Sequence, residues 1–294
     1  MSALPYLLVV VSAFTHAYWN FLLKRSRGGQ LFVGLTKIAE VVLFAPVFLV
    51  ISAADAARHA GVLWPLAIVG AALTLTNYVM LAMAYARADL STVYPISRGA
   101  VLLFLPVLGY LVFGERLDIV GKVAVALVVA GIVILQLRSV SWDSFRGLGR
   151  QLGSSNATLF ALLAAAAAAG YTVWDKRAVG LLAPFTYFYT YTVFVALAYA
   201  AHIGRRYGWS AARGEWRVHR SAIVQVGFFN TVTYLLVLFA LRAGTSSYVI
   251  ALRQLSVAFG VLLGWRLLGE PFGFPKRLGA GLIIAGTVLV ALAR

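Results

Sequence analysis

The chain has 294 residues, 62% of them hydrophobic and only 12% charged, with no cysteine and a formal net charge of +16. Soluble globular domains carry roughly 25% charged residues, so this composition excludes a particle surrounded by water and makes the bilayer the solvent. The missing cysteines exclude disulfides, thiolate metal sites and thiol nucleophiles. The basic residues sit in short gaps between apolar runs, as membrane-protein loop charges do, which sets nucleic acid aside as a partner.

A spanning helix needs about 20 mainly apolar residues. Runs that meet this predict ten spans, at 4–23, 31–51, 63–86, 91–113, 119–137, 157–177, 184–203, 221–242, 246–268 and 276–293. The first has no basic flank before it and no small-residue cleavage site after it, so it is read as a retained span. Most connections are short. The exceptions are 138–156, rich in Gly, Ser and Arg, and 204–220, which holds Arg205, Arg206, Arg213, Arg217 and Arg220.

Sliding the sequence on itself by 155 residues aligns 87–137 with 242–292 without a gap, and 14 of the 51 positions are identical. Among them are Arg87/Arg242, Ser91/Ser246, Arg98/Arg253, Phe104/Phe259 and Gly109/Gly264. Gly114-Glu115 falls on Gly269-Glu270, Ala130-Gly131 on Ala285-Gly286, Trp19 on Trp174 and Asn20 on Asp175. The predicted fold is therefore an all-α membrane protein of ten transmembrane helices, built as two five-helix repeats: 1–138, a linker at 139–156, and 157–294. Five is odd, so the second copy enters the membrane inverted, and inverted repeats with a site at their interface are a recurring transporter design.

The residues Ala17-Tyr18-Trp19-Asn20 followed by Lys24, the segment Ala84-Tyr85-Ala86-Arg87-Ala88, and the turns Phe113-Gly114-Glu115-Arg116 and Leu268-Gly269-Glu270-Pro271 resemble the EamA-like branch of the drug/metabolite transporter superfamily. The Gly-Glu turn before the last helix of each half is the most specific of these features, and the resemblance covers nearly the whole chain. It implies a secondary transporter of a bacterial inner membrane that exports small metabolites through a central cavity, amino acids and aromatic ones among them. It also implies that both termini are cytoplasmic.

Polar groups inside a span usually face a cavity or a partner. Lys37 and Glu40, at i and i+3, share one helix face; they form either a mutually satisfied pair or a site for a proton or a zwitterion. Arg98 and its repeat mate Arg253 lie about two turns into their spans and suit a carboxylate held by two hydrogen bonds; alternatively each ties down a group in its own half. Tyr94 and Pro95 precede Arg98, and Pro95 is expected to kink the span and free carbonyls. Gln254 follows Arg253. His16, Trp19, Asn20, Asn77, Tyr78, Trp174 and Asn230 complete the expected cavity lining, with Asp175 as a further proton or charge site beside Lys176. Interfacial aromatic belts are the competing explanation for the rings.

Gly147, Gly149 and Gly153 lack the strand and the Lys-Ser/Thr of a phosphate loop, and no zinc-binding or nucleophile-elbow motif occurs. No metal, no cofactor and no catalysis are expected; the expected partners are the lipid bilayer and a small-molecule substrate, and the expected state is a monomer. Alternative cargoes are drug-like cations or sugar-type metabolites, and the alternatives from another class are a lipid-handling protein or an intramembrane enzyme. Loop charges conflict with the resemblance over orientation. With ten spans, the side opposite the termini carries the larger share of Lys and Arg, which by the positive-inside rule puts the termini outside; the resemblance is preferred.

Overall fold

Inside a bilayer the chain must satisfy its own backbone hydrogen bonds, which restricts spanning structure to helices or closed barrels. Among the described residues this chain uses helices alone. The computed structural model describes residues 3–26, 29–88, 90–137, 139–141, 143–144, 146–147 and 156–293, without the side chains of Ala3, Leu90, Ser91, Thr92, Tyr94 and Pro95. The linker expected at 139–156 lies for the most part outside them.

The helices are α1 (Ala3–Arg25), α2 (Gln30–Ile51), a short α3 (Ala53–Arg58), α4 (Ala60–Tyr85), α5 (Leu90–Phe113), α6 (Ile119–Leu135), α7 (Asn156–Leu181), α8 (Pro184–Arg206), α9 (Trp209–Ala243), α10 (Ser246–Arg253), α11 (Leu255–Leu268) and α12 (Phe274–Leu292). Eight helical segments, counting α10 and α11 as one, are long and apolar enough to cross a membrane. The two others that fall on predicted spans are α6 and α8. α6 has 17 residues, at the lower limit of a span. α8 carries the run Thr186 to Thr192 and turns it inward, where Tyr187, Tyr189 and Tyr191 are buried.

Side chains facing outward are those a lipid tail accepts. Val50 is 84% exposed, and Leu49, Leu103, Leu111, Leu163, Leu197, Phe239 and Val288 are exposed as well. An apolar surface of this extent belongs in a bilayer rather than in water. The chain is an integral, multi-pass membrane protein.

Three local features differ from expectation. The basic segment 204–220 is helical, because α9 begins at Trp209 and runs 35 residues, about 52 Å at 1.5 Å per residue. That exceeds a hydrocarbon core of about 30 Å, so the Arg-rich first turns extend the helix beyond the apolar layer. α5 passes Pro95 without interruption. The break falls instead at the matching depth of the ninth predicted span, where α10 ends at Arg253 and α11 starts at Leu255.

The closest helix pairs join the N-terminal half to the C-terminal half: α6 with α12, α1 with α9, α4 with α7, α5 with α7, α2 with α8, and α1 with α11. Several of these run antiparallel. Along α2 and α8, Gly34 meets Tyr199 and Ile203 while the Tyr189 hydroxyl donates to the Val41 carbonyl. Along α4 and α7, Asn77 donates to the Ala164 carbonyl and Trp174 to the Leu66 carbonyl. Along α1 and α9, Ser12 donates to the Thr233 carbonyl, and the Tyr18 and Phe229 rings meet edge to face, 4.9 Å apart.

The α6–α12 contact is the tightest. A Cβ on Gly131 would stand 2.7 Å from the Gly279 carbonyl oxygen, and one on Gly286 would stand 2.7 Å from that of Ala124. Small residues let helix backbones approach this closely in a membrane, where van der Waals packing must replace the hydrophobic drive. Overpacking such a contact costs about 1–3 kcal/mol. Gly131→Val is expected to lower the thermal unfolding midpoint of the detergent-solubilised protein, whereas Gly281→Ala, on the same pair of helices but in open space, is expected to leave it unchanged.

Candidate functional site

The two Gly-Glu turns build the ends of the site in the same way. Gly114 and Gly269 both take a left-handed φ of 67°, which ends the preceding helix at no steric cost. The next N–H, of Glu115 or Glu270, returns to the carbonyl of Gly109 or Gly264 at 3.1 Å in both turns. The glutamate then folds back over that glycine, where a Cβ would lie 2.6 Å from the Glu115 carboxylate and 2.8 Å from that of Glu270. Gly109 and Gly264 thus make room for an acid aimed inward.

Each acid meets a lysine of the other half. Glu115 pairs with Lys176 of α7, and Glu270 pairs with Lys24 of α1. Their environments differ. The Glu115–Lys176 side chains are only 9% and 19% exposed. Glu115 also accepts the Ser246 N–H at 3.1 Å and its hydroxyl at 2.5 Å, and Lys176 donates to the Gly244 carbonyl at 2.6 Å. Glu270 and Lys24 are 31% and 62% exposed. An exposed pair is worth about 0–1 kcal/mol, whereas removing one partner of a buried, hydrogen-bonded pair strands a charge at several kcal/mol. The Glu115–Lys176 end is therefore the more firmly held one.

Lys24 and Glu270 stand at the mouth of a cavity of about 550 Å³ that also includes Gln136, Leu268 and Lys276. It runs inward past Phe21, Asn20, Ala17, Gly260, Val257 and Gln254 to His16, Tyr171, Arg98 and Arg253. These last four also border an adjoining chamber of about 120 Å³, whose other walls include Trp19, Lys37, Thr74, Asn77, Tyr78, Phe188, Tyr191, Asn230 and Tyr234. The two arginines, which fall on each other at the 155-residue offset, thus converge from α5 and α10 on the junction of the two spaces. Arg253 lies over the Tyr234 ring, 5.4 Å from its centroid.

Of the residues expected from sequence, His16, Asn20, Arg98, Arg253 and Gln254 line the main cavity. Trp19, Lys37, Asn77, Tyr78 and Asn230 line the side chamber. The Tyr94 side chain lies outside the described residues. Trp174 stands outside both spaces and spends its N–H on α4. Glu40 is buried behind the wall, accepting from Lys37 at 2.9 Å and Asn230 at 3.0 Å, as the pairing at i and i+3 anticipated. Asp175, only 2% exposed, does not use its sequence neighbour Lys176, which points to Glu115. It accepts instead from the Tyr187 hydroxyl at 2.7 Å and the Tyr234 hydroxyl at 2.5 Å.

Tyr171, Tyr191 and Tyr234, tyrosines that stand inside predicted spans, join the lining. Phe188 joins them without a signal in the pattern of polar residues. The mouth pair was legible only as a turn motif, because Lys24 and Glu270 stand 246 residues apart.

Helices with lipid-facing apolar surfaces around a central cavity lined by polar and aromatic side chains define a multi-pass membrane protein with an internal site. Residues 155–292 match the EamA-like transporter family. No curated protein matches the sequence. A solved structure titled "Crystal structure of protein" is similar over 98% of this chain and 97% of its own, with a TM-score of 0.73 at 16% identity, a likeness that speaks to fold alone. The second half of the chain is thus similar to transporter domains of that family, and the chain as a whole is a multi-pass membrane protein.

The Asp175 network gives a direct test of the packing beside the chamber. Tyr234→Phe keeps the ring and removes one of the two donors to a buried acid, which costs about 1–3 kcal/mol. The expected result is a lower unfolding midpoint in detergent. Tyr110→Phe, at an exposed position on α5, is expected to leave it unchanged.

Proposed function

We propose that the protein is a secondary transporter that exports small amphipathic metabolites, amino acids including aromatic ones foremost, by alternating access between two inverted five-helix repeats. The observation that carries this reading is the junction of Arg98 and Arg253 between the cavity and its aromatic side chamber. Two guanidinium groups from opposite halves offer a carboxylate paired hydrogen bonds, and Trp19, Tyr78, Phe188 and Tyr191 offer an apolar ring a place to pack. A carboxylate held between halves is also the natural lever for moving one half against the other.

The repeat reading is supported by how the helices pair. Exchanging each predicted span with its mate, the pair α1–α9 becomes α7–α4 and α5–α7 becomes α10/α11–α1, and all of these are close pairs. The spans that pair with their own mates, α2 with α8 and α6 with α12, run antiparallel, as inversion requires. Ten spans then place both termini on the Glu115–Lys176 side. With cytoplasmic termini, the Lys24–Glu270 mouth faces outward and the tighter clamp closes the cytoplasmic side. In the opposite state the two clamps exchange roles, so the cavity opens to each side in turn. The site's cations, Lys37, Arg98 and Arg253, speak against drug-like cations as cargo.

Two experiments test this. Proteoliposomes loaded with labelled phenylalanine are expected to lose it faster than empty-vesicle controls, and Arg253→Gln is expected to abolish at least about nine-tenths of that efflux, since a charge-assisted hydrogen bond is worth about 1.5–3 kcal/mol. Efflux of no amino acid across a broad panel would remove the cargo assignment. Because the chain has no cysteine, Ser247→Cys, buried beside Ser246, reports on the closed end without background. A membrane-impermeant maleimide is expected to leave it unlabelled, and adding Glu115→Gln is expected to expose it; equal labelling in both backgrounds contradicts the clamp's role.

A further inference from the structure

Resting on the transport reading above, we infer that the central site recognises its ligand by a carboxylate head and an aromatic body and makes no use of an ammonium group, so that aromatic carboxylates without an amino group are ligands as good as aromatic amino acids. Charge is the first observation. The side chamber and the junction are walled by Lys37, Arg98 and Arg253, and the one acid among the described residues lining either space is Glu270, at the mouth and paired to Lys24. The two nearby buried acids are already engaged. Glu40 accepts from Lys37 and Asn230, and Asp175 from Tyr187 and Tyr234. Lys37 and Glu40 offset each other, so an ammonium placed at the junction would find two arginines and no uncommitted carboxylate, and like charges at such spacing repel strongly away from bulk water.

An unmet donor is the second observation, independent of the first. The Trp19 indole N–H is buried without a hydrogen-bond partner, as is Nδ1 of His16, whose ring stands 4.8 Å from the Trp19 ring. Both residues line the chamber. An indole N–H can only donate, and a buried donor left unmet costs about 1–3 kcal/mol, so this group calls for an acceptor oxygen. A ligand carboxylate reaching the arginines supplies that acceptor. The chamber's roughly 120 Å³ approaches the roughly 150 Å³ of an apolar cavity that takes up benzene, so a single aromatic ring is the body that suits it.

The test is calorimetric binding to the purified full-length protein in detergent of three ligands that differ only at the head: phenylalanine, 3-phenylpropionate and 2-phenylethylamine. 3-Phenylpropionate is expected to bind as tightly as phenylalanine or more tightly, and 2-phenylethylamine at least about tenfold more weakly. Trp19→Phe, which keeps a ring and removes the N–H, is expected to weaken 3-phenylpropionate about tenfold, the equivalent of one charge-assisted hydrogen bond, with an unfolding midpoint that holds or rises as the check on folding. Binding of 2-phenylethylamine equal to that of phenylalanine, 3-phenylpropionate about tenfold weaker than phenylalanine, or no binding of any of the three would overturn the inference. Phenylalanine efflux is measured in parallel. Efflux with no 3-phenylpropionate binding overturns the inference and leaves the transport reading standing; 3-phenylpropionate binding without phenylalanine efflux supports the inference and removes amino acids from that reading.

Discussion

A charge inside a bilayer must be met by another group of the protein, and the two Gly-Glu turns meet theirs across the molecule. Glu115 reaches Lys176 and Glu270 reaches Lys24, so each half closes on the first helix of the other. The geometry leaves little freedom. A left-handed glycine ends the helix, a second glycine five residues earlier clears the space, and the acid folds into it. Neither half satisfies its own turn acid, so the two ion pairs tie the halves together around the cavity. The α6–α12 contact, closed by Gly131, Gly279 and Gly286, joins the last helices of the two halves, and its Leu135 and Lys276 also border the cavity.

The two ends share a plan but not a state. At one, the acid is further held by Ser246, and the pair is withdrawn from solvent; at the other, the pair stands at the lip of a cavity. Like turns thus stand in unlike surroundings, an asymmetry that the proposed alternating access would reverse in its other state. The energetic difference lies in desolvation: the same Glu–Lys pair is weak in water and costly to break when buried. A ligand held between Arg98 and Arg253, as proposed, would bridge the halves and could shift the balance only by its differential affinity for the two states.

Much of this was legible in the sequence. Long apolar runs fixed nine of the helical segments within a few residues, and the paired Arg, Gly-Glu and Ala-Gly positions anticipated which residues would come together at the junction and at the turns. Three things were not legible, each for a physical reason. α9 swallowed the basic loop before it, because arginine is a good helix former and charge alone does not end a helix. Asp175 looked like the partner of Lys176, but neighbours at i and i+1 point to different faces of a helix, so the acid turned to tyrosines and the lysine to Glu115. The Lys24–Glu270 pairing depends on the fold itself, and no local pattern could disclose it.

On the proposed mechanism the two ends move in opposite senses. Spin labels on exposed positions, Arg25 with Phe274 at the open mouth and Ile119 with Arg177 at the closed end, would report each gap in the full-length protein reconstituted in nanodiscs. On adding phenylalanine or 3-phenylpropionate, the account predicts that a population appears in which the first distance shortens and the second lengthens. Distances that change together, or a ligand that binds and moves neither, would contradict it.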